Sequence, residues 1–271
     1  MRFKRQYIDL RGTRIWSSHA QSLLTPIYKL AGRSRDVALL LHGGMSQSEG
    51  FDGRLSPSVK GFEVFSYDRA GHGRSPDMPG SFHFDFQYQE AVAYLEDVVK
   101  RPANLIGYSD GAIITLLVAI KRPDLVKTIT LIGANYKADM GQPSIEEWEP
   151  DEEAKAKYAR FSPDPPHTLV AKIKKMVQIW RTEPNMTLAQ LAKIKCPALV
   201  IAGDDDVMSL AHTNEIYGAI ENSRLAIIPA SSHLIDKDQP ELLNKVIRDF
   251  LLNPEIPVTL MPVRRKTREA Q

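Results

Sequence analysis

The sequence predicts an α/β fold in which a mostly parallel sheet is flanked by helices and interrupted by a helical cap. Short, continuous apolar runs such as Val37–Leu41 are typical of strands buried on both faces. These runs alternate with segments whose apolar residues recur at helical spacing, which is the order found in a doubly wound parallel sheet. The alternation stops at Gly133 and resumes at Ala198, so the residues between them are expected to form the cap.

In the first half of the chain the pattern predicts a hairpin followed by alternating strands and helices. Residues 3–18 alternate loosely around Gly12, as in a hairpin. A strand, a short helix, a second strand and a longer helix are then expected at residues 37–41, 48–60, 62–67 and 84–100. Residues 104–120, NLIGYSDGAIITLLVAI, form a strand, a tight turn and a helix.

The second half contains the cap and the rest of the sheet. A strand at residues 126–132 precedes three charged helical stretches, at 146–161, 167–181 and 187–193. Strands at 198–202 and 225–228 and helices near 210–220 and at 240–252 follow. We therefore divide the chain into a core of residues 1–134 and 196–252, a cap of residues 135–195 and a C-terminal tail of residues 253–271.

Composition excludes several classes of function. The chain has 271 residues, 43% of them hydrophobic, which is enough for a sizeable core. Its 35 basic and 33 acidic residues give a net charge of +2, so no nucleic-acid partner is expected, and the basic cluster at 264–268 is interpreted as a solvated tail. No secretion signal or membrane-crossing apolar run is evident. The single cysteine, Cys196, excludes an internal disulfide, so we expect a cytoplasmic protein.

The turn Gly107-Tyr108-Ser109-Asp110-Gly111 indicates chemistry. Gly-x-Ser-x-Gly between a strand and a helix is the pattern of a nucleophile elbow. The turn is so tight that the residues two before and two after the serine have to lack side chains. Ser109 would then lie at a helix N-terminus, where backbone N–H groups favour developing negative charge. A chance turn of the same composition is the alternative.

A serine hydroxyl needs a base that accepts its proton and an acid that orients the base. A carboxylate cluster, Asp204–Asp206, ends the strand after the cap, and His233 follows the next strand. We assign His233 as the base and Asp206 as the acid, from the Gly-x-x-Asp spacing counted from Gly203, with Asp205 as the alternative. Three aspartates also suit a solvated turn or a metal site. No further ligands are evident in the sequence, so no metal is expected.

Two backbone N–H groups are predicted to stabilise the oxyanion of an acyl-transfer reaction. They belong to Gly44, in the His-Gly-Gly loop after the first central strand, and to Asp110, next to the nucleophile. His42 begins the His-Gly-Gly loop and His72 lies in the glycine-rich turn at residues 68–75, and we interpret both as structural histidines.

The candidates for substrate contact lie beside the predicted catalytic residues and in the cap. Met45 and Tyr108 belong to the first group, and Asp110 joins them through its side chain. The cap adds apolar and aromatic residues, which individually are more typical of packing but together are expected to roof the pocket: Tyr136, Met140, Trp148 and Trp180.

Taken in order, the motifs HGG, DRAGHGRS, GYSDG, GDDD and SSH resemble those of the α/β-hydrolase superfamily over residues 35–252. The resemblance implies an α/β-hydrolase fold with a mostly parallel, eight-stranded sheet, flanking helices and a helical cap inserted after strand six. It also implies a Ser-His-Asp triad and no cofactor.

Within that superfamily, GYSDG, Ile-Gly-Ala-Asn after strand six and Cys-Pro-Ala-Leu before strand seven are similar to the valacyclovir hydrolase group. That group cleaves esters of α-amino acids, so the resemblance implies that Asp110 binds a substrate ammonium. The chain departs from the group at Tyr108, where tryptophan is usual, and at Ala112, where a further glycine is usual. An acid in the first turn of a helix is also stabilised by the helix dipole alone, which is the alternative for Asp110.

We therefore expect a serine hydrolase that cleaves a small carboxylic ester, with amino-acyl esters among the candidates, through an acyl-enzyme on Ser109. Carbon–carbon, lactone or thioester hydrolysis by the same triad is the first alternative. The motifs do not distinguish these reactions, because the leaving group depends on the cap. A non-catalytic receptor for a small ligand on the same scaffold is the second. The expected partner is a small-molecule ester, with no nucleic acid or membrane, and the protein is expected to be a monomer or a homodimer.

Overall fold

A computed structural model describes residues 1–21, 36–138, 149–255 and 259–263. Two of the predicted pocket residues, Met140 and Trp148, lie outside the described residues, as does the basic cluster at 264–268. None of the described helices is both long enough and apolar enough to span a membrane.

The described chain forms one sheet of eight strands in the order β1-β2-β4-β3-β5-β6-β7-β8. The first strand pairs antiparallel with the second and the second antiparallel with the fourth, and every other pairing is parallel. The predicted mostly parallel, eight-stranded sheet is therefore confirmed. The strands are β1 (Lys4–Leu10), β2 (Thr13–Gln21), β3 (Val37–Leu41), β4 (Glu63–Asp68), β5 (Ala103–Tyr108), β6 (Val126–Ile132), β7 (Ala198–Asp205) and β8 (Ser223–Ser232).

Nine α-helices accompany these strands in the described residues. They are α1 (Ser48–Leu55), α2 (Phe84–Tyr94), α3 (Asp110–Lys121), α4 (Glu152–Phe161), α5 (Leu169–Thr182), α6 (Leu188–Leu191), α7 (Leu210–Ala219), α8 (Ile235–Asp238) and α9 (Pro240–Leu252). A π-helical turn at Leu95–Val99 continues α2, and short 3₁₀ turns lie at Pro123–Leu125 and Pro166–Thr168.

Strand β3 shows why the central strands have uniformly apolar sequences. All five of its side chains are buried, and they alternate between the two sides of the sheet. Val37, Leu39 and Leu41 belong to one buried cluster, whereas Ala38 and Leu40 belong to the other. Successive side chains of a strand point to opposite faces of the sheet. A strand that is covered on both faces therefore has no solvent-facing position where a polar residue would be favoured.

The last two strands extend well beyond their predicted bounds. Strand β7 runs on to Asp205 and β8 runs from Ser223 to Ser232, although the apolar runs cover only residues 198–202 and 225–228. Most of the added residues are polar and several are exposed, so their sequence carries no apolar signal. Pairing extends to Asp205 and Ser232 and brings the polar ends of both strands to one edge.

The residues between β6 and β7, hereafter the interstrand segment, contain a helix within or close to each of the three predicted stretches, with bounds that differ by a few residues. Helix α4 begins at Glu152, because Asp151 accepts a hydrogen bond from the N–H of Ala154 (2.7 Å) and caps the helix there; the start of the predicted stretch, at 146–148, lies outside the described residues. Helix α6 is a single turn with a capping box at Thr187 and Gln190.

Candidate active site

Ser109 occupies a strained turn between β5 and α3. Its backbone has φ = 53° and ψ = −118°, in the region that favours glycine and costs other residues about 1–3 kcal/mol. The flanking glycines are required by close packing. A Cβ atom at Gly107 would lie 2.2 Å from the carbonyl oxygen of Gly111, and one at Gly111 would lie 2.0 Å from that of Leu41. The turn therefore holds the serine at the carboxyl edge of the sheet.

The structure brings Ser109, His233 and Asp206 into one hydrogen-bonded chain. The Nε2 atom of His233 lies 3.0 Å from the Oγ atom of Ser109, and its Nδ1 atom lies 2.7 Å from the Oδ1 atom of Asp206. The carboxylate side chain is fully buried, whereas the imidazole keeps 19% of its surface exposed. This is the spacing at which an imidazole accepts a hydroxyl proton while a carboxylate holds its tautomer.

Backbone donors at the end of β7 hold the Asp206 carboxylate. Its Oδ1 atom accepts a hydrogen bond from the N–H of Met208 (3.0 Å), and its Oδ2 atom accepts one from the N–H of Gly203 (3.4 Å). Asp205 is exposed and pairs with Ser232 in the sheet, and Asp204 accepts from the N–H of Ser231 (3.0 Å). Of the three aspartates, the structure places Asp206 against the imidazole.

Tyr108, next to Ser109, holds the backbone of His233. Its hydroxyl donates to the carbonyl oxygen of His233 at 2.6 Å, and the two rings lie 5.4 Å apart between centroids. Burial raises the pKa of the Tyr108 phenol, so the hydroxyl remains a donor. The residue that departs from the tryptophan of the valacyclovir hydrolase group thus anchors the backbone of His233.

A buried polar network lies beneath the His-Gly-Gly loop. The Nε2 atom of His42 accepts from the backbone N–H of Arg69 (3.2 Å), which leaves the proton on Nδ1 to donate to the carbonyl oxygen of Gly43 (2.8 Å). Burial and Arg69 hold the pKa of His42 well below its usual range, so the ring is neutral. The Arg69 guanidinium donates to the same carbonyl (2.8 Å) and to Gln87. The network therefore fixes the backbone just before Gly44.

Asp110 is buried beside Ser109 and has two neighbours from other elements. Its Oδ1 atom accepts from the indole N–H of Trp180 on α5 (2.9 Å), and its Oδ2 atom lies 3.9 Å from the guanidinium of Arg69. In the described residues the Oδ2 atom has no hydrogen-bond partner. Burial raises the pKa of the Asp110 carboxyl, and Arg69 opposes that shift.

A cavity of about 460 Å³, hereafter the first cavity, opens beside Ser109 and His233. Most of the predicted pocket residues in the described part of the chain line it: Gly44, Met45, Tyr108, Asp110 and Trp180. Gly44 lies close to the wall, because a Cβ atom there would come within 2.5 Å of Trp180. It would also come within 2.6 Å of the Asp110 carboxylate, so only a glycine fits against these two side chains.

Tyr136 does not belong to this group, and its prediction as a roof residue needs correction. It is fully buried, its ring stacks on His212 with centroids 4.5 Å apart, and its hydroxyl donates to Glu215 (2.6 Å). It does not line the first cavity. Its contacts with α7 show that the residue secures the start of the interstrand segment.

The role of Arg69 is not evident from the sequence, where it is one residue of the DRAGHGRS motif. Its side chain is fully buried next to both the His-Gly-Gly loop and Asp110. The sequence feature that could have indicated its role is its position directly after strand β4, at the carboxyl edge of the sheet.

Within the described parts of the chain, no three His, Cys, Asp or Glu side chains gather as a metal site would require.

Comparison with known proteins gives a consistent set of similarities. A family model described as "Alpha/beta hydrolase family" matches residues 38–246. The chain is 26% identical over 240 residues to the serine hydrolase BPHL of Homo sapiens, covering 83% of this chain and 82% of that protein. It is 26% identical over 237 residues to (E)-2-((N-methylformamido)methylene)succinate hydrolase of Acinetobacter baylyi, covering 79% and 89%. A solved hydrolase structure from Pseudomonas aeruginosa matches with a TM-score of 0.69 at 20% identity, covering 91% and 98%.

Proposed function

The chain belongs to the alpha/beta hydrolase family, and from that premise we propose that it is a serine hydrolase that cleaves small carboxylic esters. The resemblance indicated by its motifs, to this family and within it to the valacyclovir hydrolase group, is confirmed by the family match and by the human serine hydrolase BPHL among its relatives. The observation that carries the proposal is the hydrogen-bonded chain from the Ser109 hydroxyl through His233 to Asp206.

In the proposed first step, His233 accepts the hydroxyl proton as the Oγ atom of Ser109 attacks the ester carbonyl carbon. The carbonyl oxygen becomes an oxyanion, which the N–H groups of Gly44 and Asp110 stabilise. Collapse of this intermediate breaks the bond to the alcohol, and the alcohol takes its proton from His233. Water, deprotonated by the same imidazole, then attacks the acyl group, releases the acid and restores Ser109.

The described contacts support the two oxyanion donors indirectly. Both residues line the first cavity next to Ser109, and Asp110 is the first residue of α3, where an N–H group has no partner within the helix. Arg69 and His42 both donate to the carbonyl of Gly43, which keeps that carbonyl turned away from the site. Each such donor typically contributes ~3–4 kcal/mol of barrier lowering.

We propose that residues 135–195 act as the cap of this site. Trp180 on α5 lines the first cavity and donates to Asp110, so the interstrand segment contributes directly to the cavity wall.

The proposal is tested with p-nitrophenyl acetate and a fluorophosphonate probe. We expect a burst of p-nitrophenol equal to the active sites, covalent labelling of Ser109, and loss of both in Ser109→Ala. Turnover should fall by about 10⁴-fold or more in that variant. Full turnover by Ser109→Ala would contradict the assignment of Ser109. If the wild-type protein gives no burst, a panel of lactone, thioester and carbon–carbon substrates shows which bond the protein cleaves.

The resemblance to amino-acid ester hydrolases raises the question of whether the Asp110 carboxylate binds a substrate ammonium group. Its carboxylate already accepts from Trp180 and faces the Arg69 guanidinium, so we propose that it serves these neighbours and not a substrate ammonium. Asp110→Asn should then lose activity equally on benzyl L-valinate and on benzyl 3-methylbutanoate, which differ only in the amine. A much larger loss on the valine ester would instead support ammonium binding.

A further inference from the structure

A second cavity of about 440 Å³ adjoins the first. It extends between the turn after β4 and helices α4 and α5 of the interstrand segment. The two cavities share part of their lining, namely Met45, Ser46, Gln47, Lys157, Leu234 and Lys237. A molecule with its reacting group at Ser109 can therefore extend along these shared residues, hereafter the shared wall, into the second cavity.

The second cavity is lined mainly by apolar and aromatic side chains. Phe82 comes from the core, and Tyr158, Phe161 and Leu169 come from the interstrand segment. The Tyr158 hydroxyl is engaged with Thr168 (2.7 Å), so the ring presents its apolar surface. Such a lining suits a phenyl ring or a short aliphatic chain.

The charges around the two cavities are not balanced. Three acids line the first cavity, and each has a cationic neighbour: Glu49 has Arg74 (2.7 Å), Asp110 has Arg69 (3.9 Å) and Asp236 has Arg54 (2.5 Å). No acid lines the second cavity among the described residues.

The lysines of the same walls are less completely paired. Lys172 is buried and bound to Asp164 (2.5 Å) and to the carbonyl of Gly71 (3.3 Å). Lys157 and Lys237 line both cavities, and within the described chain neither ammonium forms a hydrogen bond or an ion pair, although the charge of Lys237 helps to lower the pKa of the adjacent Asp238. The shared wall therefore carries two positive charges that no carboxylate contacts directly.

We propose that the second cavity is a substrate subsite for an apolar group that bears a carboxylate, with Lys157 and Lys237 binding the carboxylate. The proposal rests on the proposed ester hydrolase function, because it assigns the part of the substrate distant from Ser109. It follows from the charge balance, since a cationic substrate would meet two lysines that form no ion pair and only acids that already have cationic neighbours.

The test measures binding separately from turnover. Isothermal titration calorimetry of the wild-type protein compares 4-phenylbutyrate with the neutral 4-phenylbutanamide and the cationic 4-phenylbutylamine, at low and at high salt. We expect the acid to bind at least threefold more tightly than the amide, the amine to bind most weakly, and the preference for the acid to shrink as salt screens the lysines.

Variants then locate the binding site. The double variant Lys157→Met, Lys237→Met should weaken the binding of 4-phenylbutyrate by about three- to tenfold and leave the binding of the amide unchanged. Lys155→Met is the matched control, because Lys155 lies on the same helix, pairs with Glu152 and lines neither cavity. Ala154→Trp should weaken acid and amide alike, because it places an indole in the second cavity.

Three results would overturn the proposal. They are equal binding of acid and amide, equal effects of the double lysine variant and Lys155→Met, and unchanged binding of 4-phenylbutyrate in Ala154→Trp. The last result would mean that the acid binds only beside Ser109. Because calorimetry does not depend on turnover, these results are distinguishable from failure of the ester hydrolase assignment, which would appear as the absence of a p-nitrophenol burst.

Discussion

The two sides of the first cavity are built in different ways. On the sheet side, Ser109 follows a strand that is buried throughout, Asp206 follows a strand that is buried up to Gly203, and most of α3 is buried behind the serine. On the other side, α4 has no buried residue, and α5 buries only one face, with Leu169, Ile173, Met176 and Ile179 in it.

The contacts that hold the interstrand segment are also of a different kind. Lys172 binds Asp164 and Gly71, Lys175 binds Asp77 (2.8 Å) and Trp180 binds Asp110, so polar contacts supplement a narrow apolar stripe. The buried sheet side fixes the geometry of the side chains that make and break bonds. The interstrand segment is held by a few polar contacts, so its cavity-lining residues can change without disturbing the sheet. The comparison predicts that changes on the sheet side alter rate and stability, and that changes on the helical side alter substrate choice.

The largest effect should come from Asp206→Asn. An asparagine removes the charge that stabilises the imidazolium and favours the wrong tautomer of His233, so kcat should fall by about 10⁴-fold with a small change in KM. Asp205→Asn is the control, because Asp205 is exposed and does not contact His233. Steady-state kinetics on p-nitrophenyl acetate measures both, and similar losses in the two variants would remove Asp206 from its assigned role.

The next effect concerns the network beneath the His-Gly-Gly loop. Arg69→Met leaves the Asp110 carboxylate buried without its cationic neighbour, so the free energy of unfolding should fall by about 3 kcal/mol or more. Asp110→Asn in the same chain should recover part of that loss, because the uncompensated charge is then absent. Urea denaturation of the two single variants and the double variant gives the coupling energy. Strict additivity would show that the two side chains do not interact.

Glu90 should make the stability of the sheet side depend on pH. Burial raises its pKa to about 7, above the ordinary value of 4.5, so the folded state retains a proton that the unfolded state has already released. The contribution of this group is therefore fully favourable below about pH 4.5 and is lost as pH rises to 7. Glu90→Gln should stabilise the protein by about 1–3 kcal/mol at pH 8 and change little at pH 4.5. Equal effects at both pH values in thermal or urea unfolding would contradict this.

The smallest effect should come from the helical side. Lys175→Met removes an exposed ion pair with Asp77 and should lower the free energy of unfolding by less than about 1 kcal/mol. Turnover of p-nitrophenyl acetate should be unchanged, because neither residue lines the first cavity. A loss of turnover comparable to that of Asp206→Asn would show that the interstrand segment controls the catalytic geometry, and the contrast between the two sides would fail.

Much of the fold was predictable because its signals are local. Apolar runs mark the central strands, and the predicted bounds of β6 and α9 agree with the structure. The polar ends of β7 and β8 were missed because pairing, not apolar sequence, extends those strands. Tyr136 was misplaced for a related reason, since an aromatic side chain in a helical insert can face either the cavity or the core, and its sequence neighbours do not decide which.

The sequence by itself determined the class of the sheet and the order of Ser109, Asp206 and His233, because a tight glycine turn and the carboxyl ends of parallel strands place such residues at one edge. Only the tertiary structure decided which aspartate meets the imidazole, that Arg69 lies buried beside Asp110, and that Lys157 and Lys237 line both cavities. These depend on contacts between residues far apart in the chain. Packing of whole elements sets such contacts, and no local pattern encodes them.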